Sequence, residues 1–145
     1  MEDLELINTI EDHYLTGDQC FSLKELGFVS NCITTVGSSD QNNKIFIWHE
    51  DAEPYSNEFL TFYAAVPTYD QAFKFFRDNY QLHGLVFPIK HEDKTYYTNN
   101  IDKKLNINYP TFEEARSKCI DKLIIIAKNK KYEEIIYTRL PSINS

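Results

Sequence analysis

The sequence predicts an α+β fold: a mostly antiparallel sheet packed by two main helices, with one or two further helices at the N-terminus. Three observations predict it. Two segments open alike, Pro67-Thr68-Tyr69 and Pro110-Thr111-Phe112, and each continues with apolar residues three and four apart. Short β-branched or aromatic runs, bounded by Asn, Asp, Gly and Pro, lie before and between them. With 145 residues, 42% of them hydrophobic and 14% aromatic, the chain has the length and apolar content for one packed core. The reading is a single domain over 1–145, with a core over 16–128, an acidic N-terminal helix over 2–15 and a C-terminal extension over 129–145.

Leu4, Ile7, Ile10 and Tyr14 recur near helical period, with acidic residues in the first turn, where the helix dipole favours them. Thr16 then caps a second, short helix with Gln19 as its capping-box partner, and Ser22-x-x-Glu25 is a rival cap. That helix puts Cys20, Leu23 and Leu26 on one side, stops at Gly27, and lets Phe28 fold back against it. Strands are predicted over 29–36, 44–48 and 59–66, separated by the polar turn 37–43 and the loop 51–57 that holds Pro54.

Thr68 caps the first main helix and Gln71 completes its box; Tyr69, Ala72, Phe73, Phe76 and Tyr80 form the expected buried stripe, and Gly84 closes the helical region. Three short strands, 85–90, 94–99 and 103–109, are expected to follow as an antiparallel meander. Thr111 caps the second main helix with Glu114 three residues on, and its expected stripe is Phe112, Ala115, Cys119, Leu123 and Ile126. The two starts align Ala72 with Ala115, each small enough to bring its helix close to the sheet. Beyond that the bodies do not align, so shared capping chemistry explains the match better than a repeat. Residues 132–137 prolong this helix or form another, and Pro141 ends regular structure.

Net charge is −7 and unevenly placed. Residues 1–73 hold thirteen acidic side chains against Lys24 and Lys44, a net of −11, whereas residues 74–145 hold thirteen basic and nine acidic, a net of +4. One reading is mutual neutralisation across one domain; the sharper one is an acidic face that meets a basic partner. Its candidate surface is Glu2, Asp3, Glu5, Glu11, Asp12, Glu50, Asp51, Glu53 and Glu58. Direct nucleic-acid binding is disfavoured, because phosphate neutralisation needs a basic groove. Lys128, Lys130 and Lys131 read instead as the end of a helix, complementing its dipole. A surplus of tyrosine, at Tyr55, Tyr63, Tyr96, Tyr97, Tyr132 and Tyr137, suits a protein interface. A homo-oligomer is compatible with all of this.

No motif points to catalysis, a cofactor or a metal. His13, His49, His83 and His91 are scattered, and Cys20, Cys32 and Cys119 have no Cys-x-x-Cys spacing. Their odd number and spread are those of a reduced protein, and Cys119 on a core face is a structural thiol. Four isolated glycines make no phosphate cradle. Trp48-His49-Glu50-Asp51 is the densest polar group, read as a solvated strand end first and as an acid–base or ligand site second. The acidic start is not a secretory signal, and no run approaches the ~20 apolar residues of a membrane helix.

Three segments, in order, resemble one family. They are Leu23-Lys24-Glu25-Leu26-Gly27-Phe28, the stretch from Pro67 to Arg77, and Thr111-Phe112-Glu113-Glu114-Ala115 running into Leu123-Ile124-Ile125-Ile126. Over residues 16–128 the chain resembles small uncharacterised proteins encoded by phages, prophages and mobile elements of Bacteroidetes. The resemblance implies a mobile-element origin and a cytoplasmic setting in a bacterial host, and it brings no catalytic residues. Three functions follow as expectations: a non-catalytic accessory protein that binds a host or phage protein, in one version an acidic inhibitor of a defence system; a virion-associated component; and a small enzyme or ligand-binding domain built around His49, Glu50 or Asp51.

Overall fold

The computed structural model describes residues 13–32, 34–36, 45–47, 56–59 and 63–139, and these form an α+β fold. The expected N-terminal helix lies outside them up to residue 12. At its end the chain is already extended, because Tyr14 bridges antiparallel to Thr68 and the Leu15 N–H meets the Pro67 carbonyl.

Helix α1 (Gly17–Glu25) starts and stops where its sequence dictates. The Thr16 hydroxyl accepts the Gln19 N–H at 3.3 Å and Gln19 Oε1 accepts the Thr16 N–H at 3.0 Å, a reciprocal box. At the other end Gly27 takes φ 98, a left-handed value that glycine adopts without Cβ strain. The Phe28 N–H then reaches the Leu23 carbonyl and the Gly27 N–H the Lys24 carbonyl, which swings the Phe28 ring into the core.

Three short strands, β1 (Thr34–Val36), β2 (Ile45–Ile47) and β3 (Ala64–Ala65), make an antiparallel sheet in the order β2-β1-β3, with Thr35 opposite Phe46 and Ala65. Residues 29–31 and Phe59, expected in strands, lie outside the ladder, and two side chains explain much of the difference. Buried Asn57 donates to the Phe28 carbonyl and accepts the Ala65 N–H, both at 2.8 Å, while Ser56 Oγ donates to the Val29 carbonyl at 2.6 Å. Backbone groups that a longer ladder would pair are satisfied by side chains instead. Residues Asn57–Phe59, where the third strand was expected to begin, form a 3-10 turn.

Helix α2 (Tyr69–Tyr80) carries the second reciprocal box, Thr68 with Gln71. Its buried face is Tyr69, Ala72, Phe75 and Phe76; Phe73 and Tyr80 are half-buried. Phe75, absent from the expected stripe, packs edge-on against Phe28 at 5.4 Å between ring centroids. The helix ends earlier than Gly84, since Gln81 turns left-handed at φ 52 and the Leu82 N–H caps the Phe76 carbonyl. Gly84 matters for space: a Cβ there would overlap the Phe73 ring and lie 3.1 Å from Leu123 Cδ1.

Strands β4 (Val86–His91) and β5 (Lys94–Asn99) form a hairpin with Pro88 opposite Tyr97. The expected third strand, 103–109, is not a strand. Asn99 Oδ1 accepts the N–H groups of Ile101 and Asp102, which bends the chain into a 3-10 turn at Asp102–Leu105. What remains of the meander is a single bridge, Tyr109 to Tyr97.

Helix α3 (Phe112–Arg139) begins with the Thr111 hydroxyl accepting the Glu114 N–H, and it absorbs most of the expected C-terminal extension as continuous helix. It packs against α1, α2 and both strands of the hairpin. Being covered on several sides, it buries Ala115, Cys119, Ile120, Leu123, Ile124 and Ala127, a broader face than one stripe. Phe112, expected in the core, is 37% exposed, and Ile126 is half-buried. Ala115 does sit against the hairpin, its carbonyl accepting from Asn99 Nδ2 at 3.1 Å.

Candidate functional site

Of the expected acidic surface, Glu2, Asp3, Glu5, Glu11, Asp12, Glu50, Asp51 and Glu53 lie outside the described residues, as does His49. Glu58 is described: it sits exposed in the 3-10 turn at Asn57–Phe59. The tyrosine surplus divides, with Tyr55 and the side chain of Tyr137 outside the described residues. Tyr132 and Tyr63 are exposed, Tyr97 turns inward to Phe112 with ring centroids 6.1 Å apart, and Tyr96 is half-buried.

Polar side chains converge at three places around α3. The first is a cleft of about 460 Å³ lined by His13, Tyr14, Thr68, Tyr69, Asp70 and Arg116. The Arg116 guanidinium lies 3.9 Å from the Tyr69 ring centre and 5.3 Å from that of Phe112, a cation between two aromatic faces. Burial pushes the Tyr69 phenol above its usual range, against the lowering effects of Ser117 and the Arg116 charge. Beside the cleft, buried Gln19 Nε2 donates to the Ser117 carbonyl, Ser117 Oγ and Asp121 Oδ1, which ties α1 to α3. With a guanidinium, a carboxylate and an imidazole on its walls, the cleft can hold a polar group. The Thr68 hydroxyl is engaged as a helix cap rather than poised as a nucleophile.

The second place is a buried carboxylate. Asp102 is fully enclosed; its Oδ2 accepts from Asn99 Nδ2 and from the Tyr109 hydroxyl, each at 2.8 Å, and Lys122 Nζ stands 4.0 Å from Oδ1. Burial, and then Asp102 itself, pushes the Tyr109 phenol up to about 12 and the Cys119 thiol up to about 12. This cluster locks the turn after β5 to α3, and its enclosure argues for a structural role.

The third is a turn of lysines. Lys128, Lys130 and Lys131 are not at a helix end, because α3 runs on past them. They serve the ends of other helices: Lys131 Nζ donates to the Glu25 carbonyl at 2.7 Å and Lys130 Nζ to the Tyr80 carbonyl at 3.0 Å, at the C-termini of α1 and α2. Lys128 adds an ion pair with Glu25 at 3.3 Å. The dipoles that these lysines complement are those of the neighbouring helices, not that of α3 as expected.

All three cysteines are buried and free, and burial raises each thiol, so none is a ready nucleophile. Among the described residues no group of three or more His, Cys, Asp or Glu is placed to hold a metal ion, and no helix is long and apolar enough to cross a membrane. Sequence reasoning missed Arg116, the Asn99–Asp102–Tyr109 cluster and the long reach of Gln19. The first had a signal, an arginine four residues after Phe112 on a helix; the second had the Asn-x-x-Asp spacing that follows a strand. Comparison with protein-family models, with curated proteins and with solved structures finds no match for this chain.

Proposed function

We propose that this chain is a non-catalytic accessory protein of a phage or mobile element, acting in the cytoplasm of a bacterial host by binding another protein through the acidic surface of its first half. The observation that carries the reading is what the lysines bond to. Lys128–Glu25 joins the two halves, whereas Lys122–Asp102 and Lys74–Asp78 stay within the second. Lys130 and Lys131 donate to the main-chain carbonyls of Tyr80 and Glu25. A lysine on a carbonyl neutralises no carboxylate, so these two lysines do not offset the thirteen acidic side chains that residues 1–73 set against two basic ones.

Carboxylates in such number suit a basic protein surface, in one version the phosphate-binding face of a nucleic-acid-handling defence protein. The test is capture of partners from host lysate on the purified protein and on a variant carrying Glu50→Gln, Asp51→Asn, Glu53→Gln and Glu58→Gln. The expected result is a basic partner retained at about 50 mM salt, released by about 500 mM, and lost by the variant. Equal retention by the variant, or no salt-sensitive partner, refutes the proposal.

A further inference from the structure

Four residues on α3 face away from the core in one narrow stripe: Ile125, Asn129, Tyr132 and Ile136. At 100° per residue they fall within about 60° of arc. Ile125 is 55% exposed, Tyr132 65% and Ile136 39%, while Leu123 and Ala127 on the opposite face are buried. Their spacing of four, three and four is that of a coiled-coil seam: Ile125 and Tyr132 take one core position of the heptad, Asn129 and Ile136 the other. Lys128 and Glu133 then occupy the two flanking positions, five residues apart and on opposite sides of the seam.

We infer that this stripe pairs with the same stripe of a second copy, parallel and in register, over residues 125–136. Charge complementarity selects that occupant and that direction. In a parallel pair each Lys128 meets Glu133 of the second copy, because opposite flanks face one another. An antiparallel pair would align each flank with itself and leave both charges without their complement. Lys128 has three donors, so its contacts with Glu25 and Ser22 leave one for a partner. Asn129 sits where a buried asparagine pairs with its own counterpart and fixes a two-stranded register. The seam spans under two heptads, short for a coiled coil, so the dimer is a weak one. This inference is independent of the acidic-surface reading.

Sedimentation of the intact protein from about 5 to 500 µM tests it, and the expected result is a monomer–dimer equilibrium across that range. Ile136→Asp is expected to stay monomeric throughout, with an unchanged circular-dichroism melting curve as the control for folding. Glu133→Lys is expected to weaken the dimer at least about fivefold through like-charge contact with Lys128. Asn129→Cys is expected to form a disulfide-linked dimer on mild oxidation, a bond that parallel in-register pairing brings within reach and that the buried native thiols do not supply. A wild-type protein monomeric at all concentrations, a dimer that survives Ile136→Asp, or a dimer in which Asn129→Cys fails to cross-link would overturn the inference.

Discussion

Replacing Tyr109 by phenylalanine removes one hydroxyl and leaves the ring, so it isolates a single contact of the buried Asp102. That hydroxyl donates at 2.8 Å to a carboxylate oxygen whose other donor is Asn99, also at 2.8 Å. A hydrogen bond to a charged acceptor contributes about 1.5–3 kcal/mol. The variant keeps the Asn99 bond and the Lys122 charge 4.0 Å from the other oxygen, so the loss belongs at the low end, about 1.5–2 kcal/mol. For a domain of this length that is a fall in Tm of about 5 °C. Urea unfolding at pH 7, with the Asp102→Asn variant and the double variant closing a cycle, measures it.

The same site has an alkaline signature. Burial first, then the hydrogen bond and charge of Asp102, push the Tyr109 phenol up from its ordinary 10.0 to about 12. A pKa raised by folding means the native state favours the protonated phenol. Its contribution is therefore whole below pH 10 and is lost as pH rises from 10 through 12. Tyr109→Phe should decline less steeply than wild type over that window. A variant within about 0.5 kcal/mol of wild type at pH 7, or one with an unchanged alkaline limb, would refute the assignment of Tyr109 as a structural donor to Asp102.

Two glycines, Gly27 and Gly84, separate strain from crowding. Gly27→Ala meets open space at φ 98 and should lose about 1 kcal/mol in urea unfolding, whereas Gly84→Ala meets the Phe73 ring and Leu123 and should lose about 1–3 kcal/mol. Truncating Gly84's neighbour, as Phe73→Leu, should recover part of the second loss and none of the first. Thr68→Ala removes a reciprocal cap and should lower stability by about 1 kcal/mol by the same assay. Cys20, Cys32 and Cys119 should react with a water-soluble disulfide reagent at pH 8 only at the rate of unfolding, and at once in denaturant. Cys32 and Cys119 are raised from 9.0 to about 12, so they too favour the protonated native state. Their contribution is lost from pH 9 upward, ahead of Tyr109.

What could be read in the sequence was local. Thr16 with Gln19, Thr68 with Gln71, and the Gly27-Phe28 stop each involve residues within a few positions, so side-chain type and spacing determine the geometry. The strand after β5 was misread for the opposite reason. Residues 103–109 have strand-like composition, but Asn99 captures the N–H groups of Ile101 and Asp102 and commits the backbone to a turn before pairing can propagate. Residues 29–31 and Phe59 have strand-like composition too, but Ser56 holds the Val29 carbonyl and Asn57 joins the Phe28 carbonyl to the Ala65 N–H.

The candidate site was less legible because its partners are distant and carry no side-chain signature. Every residue has a carbonyl, so nothing in the chain marks Tyr80 or Glu25 as the acceptor for a lysine some fifty or a hundred positions later. Counting charges along the sequence assumes that each cation cancels a nearby anion. Lys130 and Lys131 break that assumption, since helix ends collect cations by their dipole and consume no carboxylate in doing so. The outward stripe of α3 follows the same logic in reverse: composition marks Ile125 and Ile136 only as apolar, and the placement of α1, α2 and the hairpin on the other faces is what leaves them at the surface with Tyr132. An apolar seam flanked by one cation and one anion, on a protein whose remaining charge is predominantly acidic, then has its most complementary partner in its own copy.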